Sequence, residues 1–381
     1  MKRFYYIVNG GILHSLGVRN KVSAQATNLN NNIDVTIVIV GGHESQTTDL
    51  ERMTSATIVN LERHRKLEAL QVVEDIINVL KLTMSLNEGD IIYTRYSSLM
   101  FFAVPRKCTI ITEHQAKESE EYEVINVYGR SQLSLIRMIE KYLGKLNRKL
   151  RDGFVAVTAE ILEYEARYYG KKPGIIISNG IDASTAPLIR RKEPITTDFH
   201  ILGLASVSPW HGYDRVIRGI NEYSGNVSVF FHIVGDGGEI ENLDKLARKF
   251  GISNKIIFHG TRDGEELDSI IEQCHLGIGV LGPHRKKLVE AASLKLREYC
   301  ARGLPIVDST VDVDFTDFPY IHRLESNEEP VDIDELIDFF NSCAAEDYPR
   351  NMRVFAHDKL DWRNKALLLE SFLQSSMKSA N

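Results

Sequence analysis

The residues with the clearest capacity for chemistry surround the start of one short helical segment. The segment runs from Leu294 to Arg302, with Ser293 as a candidate N-cap and Gly303 after the last turn. Pro305 then ends any continuation of the helix before a strand begins. Backbone N–H groups converge at the start of such a helix, and the positive end of its dipole lies there. That end therefore favours a bound anion such as a diphosphate.

Three side chains on or beside this helix could complete such a site. Lys295 in the first turn adds a full positive charge. Glu298 lies about one turn further on, where a carboxylate can accept two hydrogen bonds from a ribose diol. Glu290 precedes the helix and could reach the hydroxyls of a sugar beyond the phosphates. The pattern predicts a nucleotide-sugar site, and the alternative is an amphipathic helix whose Lys295, Arg297 and Glu298 are simply solvated.

The elements that must position these residues alternate between strand and helix along the chain. Short apolar runs predict strands, and amphipathic runs between them predict helices. The predicted strands begin near residues 4, 34, 90, 108, 154 and 174 in the first half and 199, 227, 255, 276 and 305 in the second. This alternation predicts an α/β fold whose parallel sheets are covered on both faces and bind ligands at the carboxyl ends of their strands.

The strand ends of the first half carry further candidate residues. Gly10 and Gly11 follow the first strand, where they either allow close backbone approach to a ligand or form only a tight turn. Arg95 and Glu113 stand at the ends of two later strands. His114 could donate a hydrogen bond to a sugar hydroxyl or relay a proton, and the alternative is that it only ties a loop together.

Composition excludes several classes of protein. The 381 residues are 43% hydrophobic, enough for a sizeable core, and the length favours two domains. A net charge of -6 argues against a nucleic-acid partner. The four cysteines lack metal-ligand spacing, so we expect reduced core thiols. The sequence predicts neither a signal peptide nor a membrane span, and a cytoplasmic protein is the default expectation.

Two further patterns bear on metals and cofactors. A Val-Gly-Asp-Gly motif ends the strand that begins near residue 227, but Ile240 stands where a dinucleotide fingerprint needs its third glycine, which disfavours a nicotinamide cofactor. Asp312 and Asp314 form a D-x-D pair, which we expect to lie in a solvated loop. We assign no metal and no cofactor, and treat the nucleotide-sugar as a substrate.

A family resemblance rests on the spacing of the two glutamates. Seven residues separate Glu290 from Glu298, and Gly-Leu-Pro-Ile-Val follows. This resembles the Glu-x7-Glu signature of the retaining family-4 glycosyltransferases, and Leu-Lys-Leu-Arg-Glu-Tyr-Cys-Ala-Arg-Gly-Leu-Pro looks like its variant in bacterial surface-polysaccharide enzymes. With the Val-Gly-Asp-Gly and Phe-His-Gly strand ends, the resemblance covers residues 199 to 307. It implies the GT-B fold, in which two Rossmann-like domains face each other across a cleft.

The resemblance also implies an activity and an assignment of residues. The activity is a retaining, metal-independent transfer of a sugar from a nucleoside diphosphate-sugar to a glycan or lipid-linked acceptor. The expected catalytic residues are Glu290 and His114. The expected acceptor-side residues are Arg95 and Glu113. The expected donor-binding residues are Gly10, Gly11, Ser206, His211, Gly212, Gly260, Leu294, Lys295 and Glu298.

One departure from the family pattern affects the phosphate site. Ser206 and His211 stand where the family has an arginine and a lysine that neutralise the diphosphate. Serine supplies no charge, and histidine is only partly cationic near neutral pH. We therefore expect that another basic residue neutralises the diphosphate, namely Lys295, Arg297, Lys286 or Lys287, or that donor binding is weak. The alternatives to a transferase are a catalytically silent GT-B subunit and a sugar-nucleotide epimerase of the same fold.

The predicted domains are 1–178 and 179–355, followed by a segment, 356–381, whose helix resembles the one that returns to the N-terminal domain in the family.

Residues 135–151 form a basic amphipathic helix in the N-terminal domain. Such a helix could rest on an anionic membrane surface, at the inner face of the plasma membrane. It could equally be a surface helix with its apolar side in the core and its lysines in water, which is the interpretation we favour.

Overall fold

The structure is a computed structural model that describes residues 3–14, 16–30, 33–64, 68–97, 108–117 and 130–378. The chain divides into two compact units. Unit 1 comprises Met1–Gly180 and Trp362–Asn381, and unit 2 comprises Ile181–Asp361. The divisions lie a few residues after the expected ones, so the last helix belongs to unit 1 and the helix before it to unit 2. The two Rossmann-like domains expected from the sequence are both present.

Unit 1 is built on a parallel sheet of seven strands: β1 (Arg3–Asn9), β2 (Asp34–Val40), β3 (Thr57–Leu61), β4 (Ile91–Arg95), β5 (Thr109–His114), β6 (Gly153–Ala156) and β7 (Gly174–Ile176). Their order across the sheet is β3-β2-β1-β4-β5-β6-β7. The order therefore reverses between β1 and β4. The loops after these two strands diverge at the carboxyl edge, where open α/β sheets form their ligand crevice.

The described helices of unit 1 are α1 (Leu16–Asn30), α2 (Glu44–Met53), α3 (Glu68–Met84), α4 (Arg130–Lys149), α5 (Ala159–Tyr169) and α12 (Trp362–Lys378). α12 contributes Leu369 and Phe372 to the core beneath α1. Lys365 on α12 donates a 2.7 Å hydrogen bond to Ser178 Oγ, which ties this last helix to the end of the sheet. Within the described residues, no helix is long and apolar enough to span a membrane.

Unit 2 is built on a parallel sheet of six strands: β8 (Asp198–Leu204), β9 (Ser228–Val234), β10 (Ile256–Gly260), β11 (Leu276–Ile278), β12 (Ile306–Asp308) and β13 (Ile321–Arg323). Their order is β10-β9-β8-β11-β12-β13. The reversal lies between β8 and β11. The loops after these two strands hold His211 and Glu290, both of which are among the site residues expected from the sequence.

The helices of unit 2 are α6 (Tyr213–Glu222), α7 (Ile240–Phe250), α8 (Gly264–Gln273), α9 (Leu294–Arg302), α10 (Ile333–Ala344) and α11 (Tyr348–Lys359). α9 matches the predicted segment: Gly303 follows it at a φ of +77°, a left-handed conformation that glycine adopts without strain. Cβ-bearing residues are disfavoured there for a second reason, since a Cβ would lie 2.5 Å from Pro349 Cα. α9 therefore ends where the chain must approach α11.

Four histidines form a hydrogen-bonded row at one side of the unit 2 sheet. Nδ1 of His200 lies 2.9 Å from Nε2 of His232, and Nδ1 of His232 lies 3.0 Å from Nε2 of His259. His275 accepts from the backbone N–H of His200 at 3.0 Å. Burial lowers the pKa of all four, to about 4 for His232 and His275. The row is therefore neutral at pH 7.

This row predicts that unit 2 loses stability in mild acid. Unfolded histidines bind protons below a pKa of about 6.5, whereas folded His232 and His275 stay neutral until the pH approaches 4. The free energy of unfolding should therefore fall as the pH drops from 6.5 towards 4, by up to about 1.4 kcal/mol per pH unit for each of these two histidines. Urea unfolding at several pH values measures this slope.

Tryptophan fluorescence can isolate unit 2 in that experiment. The chain has two tryptophans, so Trp362→Phe leaves Trp210 in unit 2 as the reporter. In this background His232→Gln should reduce the slope of the free energy of unfolding against pH. His357→Gln, which lies outside the row, should leave that slope unchanged. A wild-type stability that does not change between pH 7 and 5 would contradict the prediction.

Candidate functional site

The candidate site of unit 2 lies where the loops after β8 and β11 pack against each other. Gly212 begins α6 at a φ of +66°, and a Cβ there would lie 2.8 Å from Leu281 Cβ. The N–H of Leu281 donates to His211 O at 3.2 Å, and the N–H of Gly282 donates to Trp210 O at 3.0 Å. Gly212 is therefore required for the close approach of the two loops, which fixes the His211 side chain beside the second loop.

Arg285 joins the same two loops through its guanidinium. Nη1 donates to Pro209 O at 2.6 Å and to Asp214 Oδ1 at 2.8 Å, and Nη2 donates to Asp214 Oδ2 at 3.0 Å. Nε donates to Glu328 Oε1 at 2.9 Å, and these contacts lower the pKa of Glu328 to about 2. Arg285 thereby sets the position of its neighbour Lys286 relative to the loop that carries His211.

His211 is a neutral hydrogen-bond donor in this structure rather than a partly charged group. The backbone N–H of Ser208 donates to its Nδ1 at 3.0 Å, so the ring proton belongs on Nε2. Burial lowers its pKa well below the usual value, and the positive charges of Lys295 and Lys286 lower it further. The expectation of a partly cationic His211 is therefore corrected.

Two lysines bring positive charge to the start of α9. The half-buried Lys295 donates from Nζ to Gly279 O at 3.1 Å, and burial lowers its pKa to about 7. Nζ of Lys286 lies 3.9 Å from the ring centre of Trp210, a cation–π contact. Ser293 occupies the N-cap position of α9 but makes no side-chain capping hydrogen bond. Lys295 thus lies in the first turn of an uncapped helix, and both lysines are near enough to His211 for their charges to lower its pKa.

Arg297, another expected replacement for the missing charge, faces the protein interior. It is fully buried and forms ion pairs with Asp312 and, at 2.6 Å, with Asp314. The expected solvated D-x-D loop is therefore wrong: Asp312 is buried, and both carboxylates neutralise this arginine. The interpretation of Arg297 as a solvated helix residue is wrong for the same reason. Lys287 is exposed at a φ of +54°, which ends the turn holding Lys286.

Both glutamates of the Glu-x7-Glu spacing are at least partly accessible. Nε of Arg302 donates to Glu298 Oε1 at 2.6 Å and Nη1 of Arg302 donates to Asp268 at 2.6 Å, which orients Glu298. Within the described residues, Oε2 of Glu298 has no hydrogen-bond partner. Glu290 lies in a short extended segment whose backbone pairs with Val311. Glu290 precedes α9 in the chain, and Glu298 lies in its second turn.

The remaining predicted residues of unit 2 lie in loops at the same edge. Ser206 is exposed, and its carbonyl accepts from Ser208 Oγ at 3.2 Å. Gly260 ends β10 at a φ of +67°, and its carbonyl accepts from the N–H of Gly235 at 2.8 Å. Leu294 is the first residue of α9 and is half-buried. The parallel sheet thus brings all the residues expected to bind the donor in unit 2 to one edge.

Gly10 and Arg95 flank the reversal point of unit 1. A Cβ on Gly10 would lie 2.6 Å from Gly41 O, so glycine is required there by loop packing. The N–H of Gly11 donates to Asn9 Oδ1 at 2.7 Å. Arg95 is half-buried at the end of β4. These contacts explain the two glycines by packing and turn geometry, and a role of this loop towards a ligand stays a prediction.

Glu113 and His114 lie inside unit 1. Glu113 is buried and accepts from Lys21 on α1. His114 is fully buried, with Nε2 2.9 Å from Tyr169 Oη and Nδ1 3.4 Å from Glu165 Oε1. Burial lowers the pKa of His114 to about 4. The structure surrounds His114 with protein groups, and contact of either residue with a substrate stays a prediction.

Sequence analysis missed the groups that hold these side chains. Lys21 is separated from Glu113 by 92 positions, and Tyr169 from His114 by 55. Arg285 was also missed, although it belongs to a run of basic residues just before Glu290. Its 71-residue separation from Asp214 gives no local signal. Only the three-dimensional structure brings these pairs together.

Comparison with known proteins agrees with this architecture. Residues 186–313 match the family model described as "Glycosyl transferases group 1". No curated protein sequence matches the chain. A solved sucrose-phosphate synthase from Thermosynechococcus elongatus aligns over 100% of both chains with a TM-score of 0.70 and 14% identity.

Two other solved structures extend the comparison. Anabaena HepE, in complex with UDP-glucose, aligns over 98% of this chain and 100% of its own, with a TM-score of 0.66 and 14% identity. A lipopolysaccharide outer core galactosyltransferase aligns over 97% of this chain and 99% of its own, with a TM-score of 0.59 and 14% identity. At such identities the likeness concerns the fold. The chain has the two Rossmann-like domains of the GT-B glycosyltransferases, and the segment matched by the group 1 family model contains its candidate site.

Proposed function

We propose that this protein is a retaining glycosyltransferase that moves a sugar from a nucleoside diphosphate-sugar to an acceptor hydroxyl. The observation that carries the proposal is that Lys295, in the first turn of α9, and Lys286 both act electrostatically on His211, whose Nε2–H is left as a donor. This cluster lies at the strand reversal between β8 and β11. The match of residues 186–313 to a glycosyltransferase family model supports it, as does the UDP-glucose named for Anabaena HepE.

Each group of the cluster has a distinct part in donor binding. The diphosphate would lie against the N–H groups of the first turn of α9, with Lys295 and Lys286 supplying charge and His211 a neutral hydrogen bond. Oε2 of Glu298 would accept from the ribose hydroxyls while Arg302 holds Oε1. Glu290, before the helix, would contact the sugar. The backbone around the donor would be shaped by four further residues: Leu294, Ser206, Gly212 and Gly260.

The proposed chemistry is electrostatic. As the bond between the sugar and the diphosphate breaks, negative charge grows on the leaving phosphate and positive charge grows on the sugar ring. Preorganised donors and cations stabilise the leaving group, and a carboxylate near the ring stabilises the oxocarbenium-like sugar. Lys295 and Lys286 replace the charge that Ser206 and His211 do not provide. The groups proposed to contact the diphosphate are N–H and ammonium groups, and we propose a transfer that does not depend on a metal.

The acceptor side is proposed for unit 1. Arg95 lies at its strand reversal, where a glycan or lipid-linked acceptor would bind, and the Gly10–Gly11 loop on the other side of the reversal would contact the donor. His114 and Glu113 would act indirectly, by fixing the end of β5 through their contacts with Tyr169 and Lys21. A role in bacterial surface-polysaccharide synthesis follows only from the sequence resemblance and belongs to the same proposal.

The second candidate function is a catalytically silent subunit, which the Ser206 and His211 departure favours. A donor turnover assay separates the alternatives. A transferase releases nucleoside diphosphate when an acceptor or water accepts the sugar. An epimerase changes the sugar and retains the nucleotide, whereas a silent subunit produces neither change.

The first prediction concerns Glu298. A thermal-shift screen with UDP, GDP, ADP, CMP and their sugar conjugates should identify the nucleotide, because a ligand at a hundred times its Kd stabilises the fold by about 2.7 kcal/mol. Glu298→Gln should then weaken binding at least tenfold, since hydrogen bonds to a charged group contribute about 1.5–3 kcal/mol. Asp268→Asn is the matched control, because Asp268 also contacts Arg302 and should leave binding unchanged. Equal affinities of wild type and Glu298→Gln would contradict the ribose assignment.

The second prediction is a pH dependence set by Lys295. Its pKa is about 7 in the free protein because burial disfavours its charge. A bound diphosphate favours the charged ammonium, so binding takes up a proton above pH 7. The Kd should therefore rise with pH, by up to about tenfold per unit between pH 7 and 9.

Lys295→Arg should remove this pH dependence, because arginine stays charged throughout the range. Calorimetric titrations in two buffers of different ionisation enthalpy also measure the proton uptake directly. Wild-type affinity that is constant from pH 7 to 9 would contradict a contact between Lys295 and the diphosphate.

The third prediction concerns Arg285 as a positioning residue. Arg285→Met removes the hydrogen bond to Pro209 O that joins the two loops, and should raise the Kd and the donor KM roughly tenfold or more. Arg218→Met is the matched control, because Arg218 also pairs with Asp214 but does not contact Pro209. If both variants weaken donor binding equally, the effect comes from Asp214 rather than from loop positioning.

A further inference from the structure

Asp308 is a fully buried carboxylate at the end of β12. Strands of a parallel sheet that is covered on both faces are usually apolar, as Ile306 and Val307 are in this strand. Removing a carboxylate from water is costly unless other groups compensate for the lost hydration. The groups that contact Asp308 must therefore offset this cost.

Four donors surround the Asp308 carboxylate. The backbone N–H of Val280 donates to Oδ1 at 2.6 Å. Oδ2 accepts from the backbone N–H of Thr310 at 3.0 Å, from the Thr310 hydroxyl, and from Nη1 of Arg323 at 3.1 Å. Burial raises the pKa of Asp308, and these donors act against it by favouring the ionised form, which only accepts hydrogen bonds. Asp308 is thus held as a buried negative charge.

Oδ1 of this carboxylate fixes the chain just after β11. It accepts from Val280 and lies so close to Gly279 that a Cβ on Gly279 would overlap it. The N–H of Gly279 also donates to Val307 O at 2.8 Å. The peptide group between Gly279 and Val280 therefore has a defined orientation relative to β12.

This one peptide group connects Asp308 to Lys295. In a trans peptide the N–H and C=O bonds point in opposite directions. The N–H of Val280 points to Asp308, and the C=O of Gly279 points away from it and accepts from Lys295 Nζ at 3.1 Å. A carboxylate at the N–H end polarises the peptide and makes its carbonyl a stronger acceptor. The Lys295 amine is thus held in place while a peptide group separates it from the negative charge.

The contacts of Asp308 with Thr310 and Arg323 allow another interpretation, in which Asp308 only closes the turn after β12. Both of these residues donate to Oδ2, whereas the connection to Lys295 runs through Oδ1 and Val280. Substitutions at the two sides of the carboxylate can therefore separate the two roles.

We propose that Asp308 is a positioning residue for Lys295, which acts through the Gly279–Val280 peptide to fix the Lys295 amine and to support its positive charge. The part of Lys295 in binding a diphosphate rests on the proposed function, whereas the connection from Asp308 to Lys295 does not. Burial lowers the pKa of Lys295 to about 7, and the negative charge of Asp308 opposes this shift. Removing that charge should therefore lower the pKa of Lys295 further.

Competitive labelling of lysine amines with acetic anhydride tests the proposal in the full chain without a ligand. Only the neutral amine reacts, so the pH midpoint of Lys295 labelling, measured by peptide mass spectrometry, reports the pKa of this amine. The wild-type midpoint should lie near pH 7. Asp308→Asn removes the charge with little change of shape, and should lower the midpoint by about one pH unit or more.

The matched controls change donors to the other carboxylate oxygen. Thr310→Val removes the hydroxyl that donates to Oδ2, and Arg323→Met removes an exposed cation that donates to the same atom. Neither variant should lower the midpoint. The proposal is overturned if Asp308→Asn leaves the midpoint unchanged, or if Thr310→Val lowers it equally. A nucleotide screen that finds no ligand while Asp308→Asn shifts the midpoint would contradict the proposed function alone.

A second measurement decides the question even if Asp308→Asn does not fold. Carbon-13 NMR of protein labelled at aspartate follows the Asp308 carboxyl carbon in the wild type and in Lys295→Met. The wild-type signal should move between about pH 6 and 8, where Lys295 loses its proton, and should stay constant there in Lys295→Met. A wild-type signal that does not move in this range, or an equal movement in Lys295→Met, would also overturn the proposal.

Discussion

The close packing of the loops after β8 and β11 is the constraint on which the candidate donor site depends. Gly212 allows this packing because its left-handed backbone and missing Cβ let Leu281 approach. The backbone hydrogen bonds and the Arg285 guanidinium then fix the loops in register. Without this contact, His211 and Lys286 would have no defined position relative to α9. The reversal of strand order explains why the contact forms here, since it is where neighbouring loops turn to opposite faces of the sheet.

Arginines and lysines have different parts in this arrangement. Arg285 and Arg297 are held by carboxylates, and Arg215 by backbone carbonyls and Asn327, so all three organise loops. Lys295 is surrounded by protein that lowers its pKa. The charge of Lys295 is therefore easily changed by ligand binding or by pH. The neutral His211 contributes a directional hydrogen bond rather than a charge. The site can exchange one proton with solvent near pH 7, which an arginine and lysine pair could not do.

Local sequence patterns predicted the fold and α9 because strand alternation, a helix stop at Gly303 and strand-end loops are encoded within a few residues. They did not predict which charges are buried. The sequence pattern predicted a solvated Arg297, whereas in the structure Arg297 pairs with Asp312 and Asp314. The pattern likewise predicted that Arg148 belongs to a basic surface, whereas in the structure it pairs with Glu140 and Glu165. β3 was missed because it is a half-exposed edge strand with a weak apolar pattern. Long-range ion pairs leave no periodic signal, so they required the structure.

The central claim is that a nucleoside diphosphate binds at the start of α9 in unit 2. A crystal structure of the chain with its preferred nucleoside diphosphate tests this claim most directly. We predict phosphate oxygens within hydrogen-bonding distance of Lys295 Nζ and of backbone N–H groups in the first turn of α9, with the ribose hydroxyls at Glu298 Oε2. A nucleotide bound away from α9, or one whose ribose contacts neither oxygen of Glu298, would contradict the account.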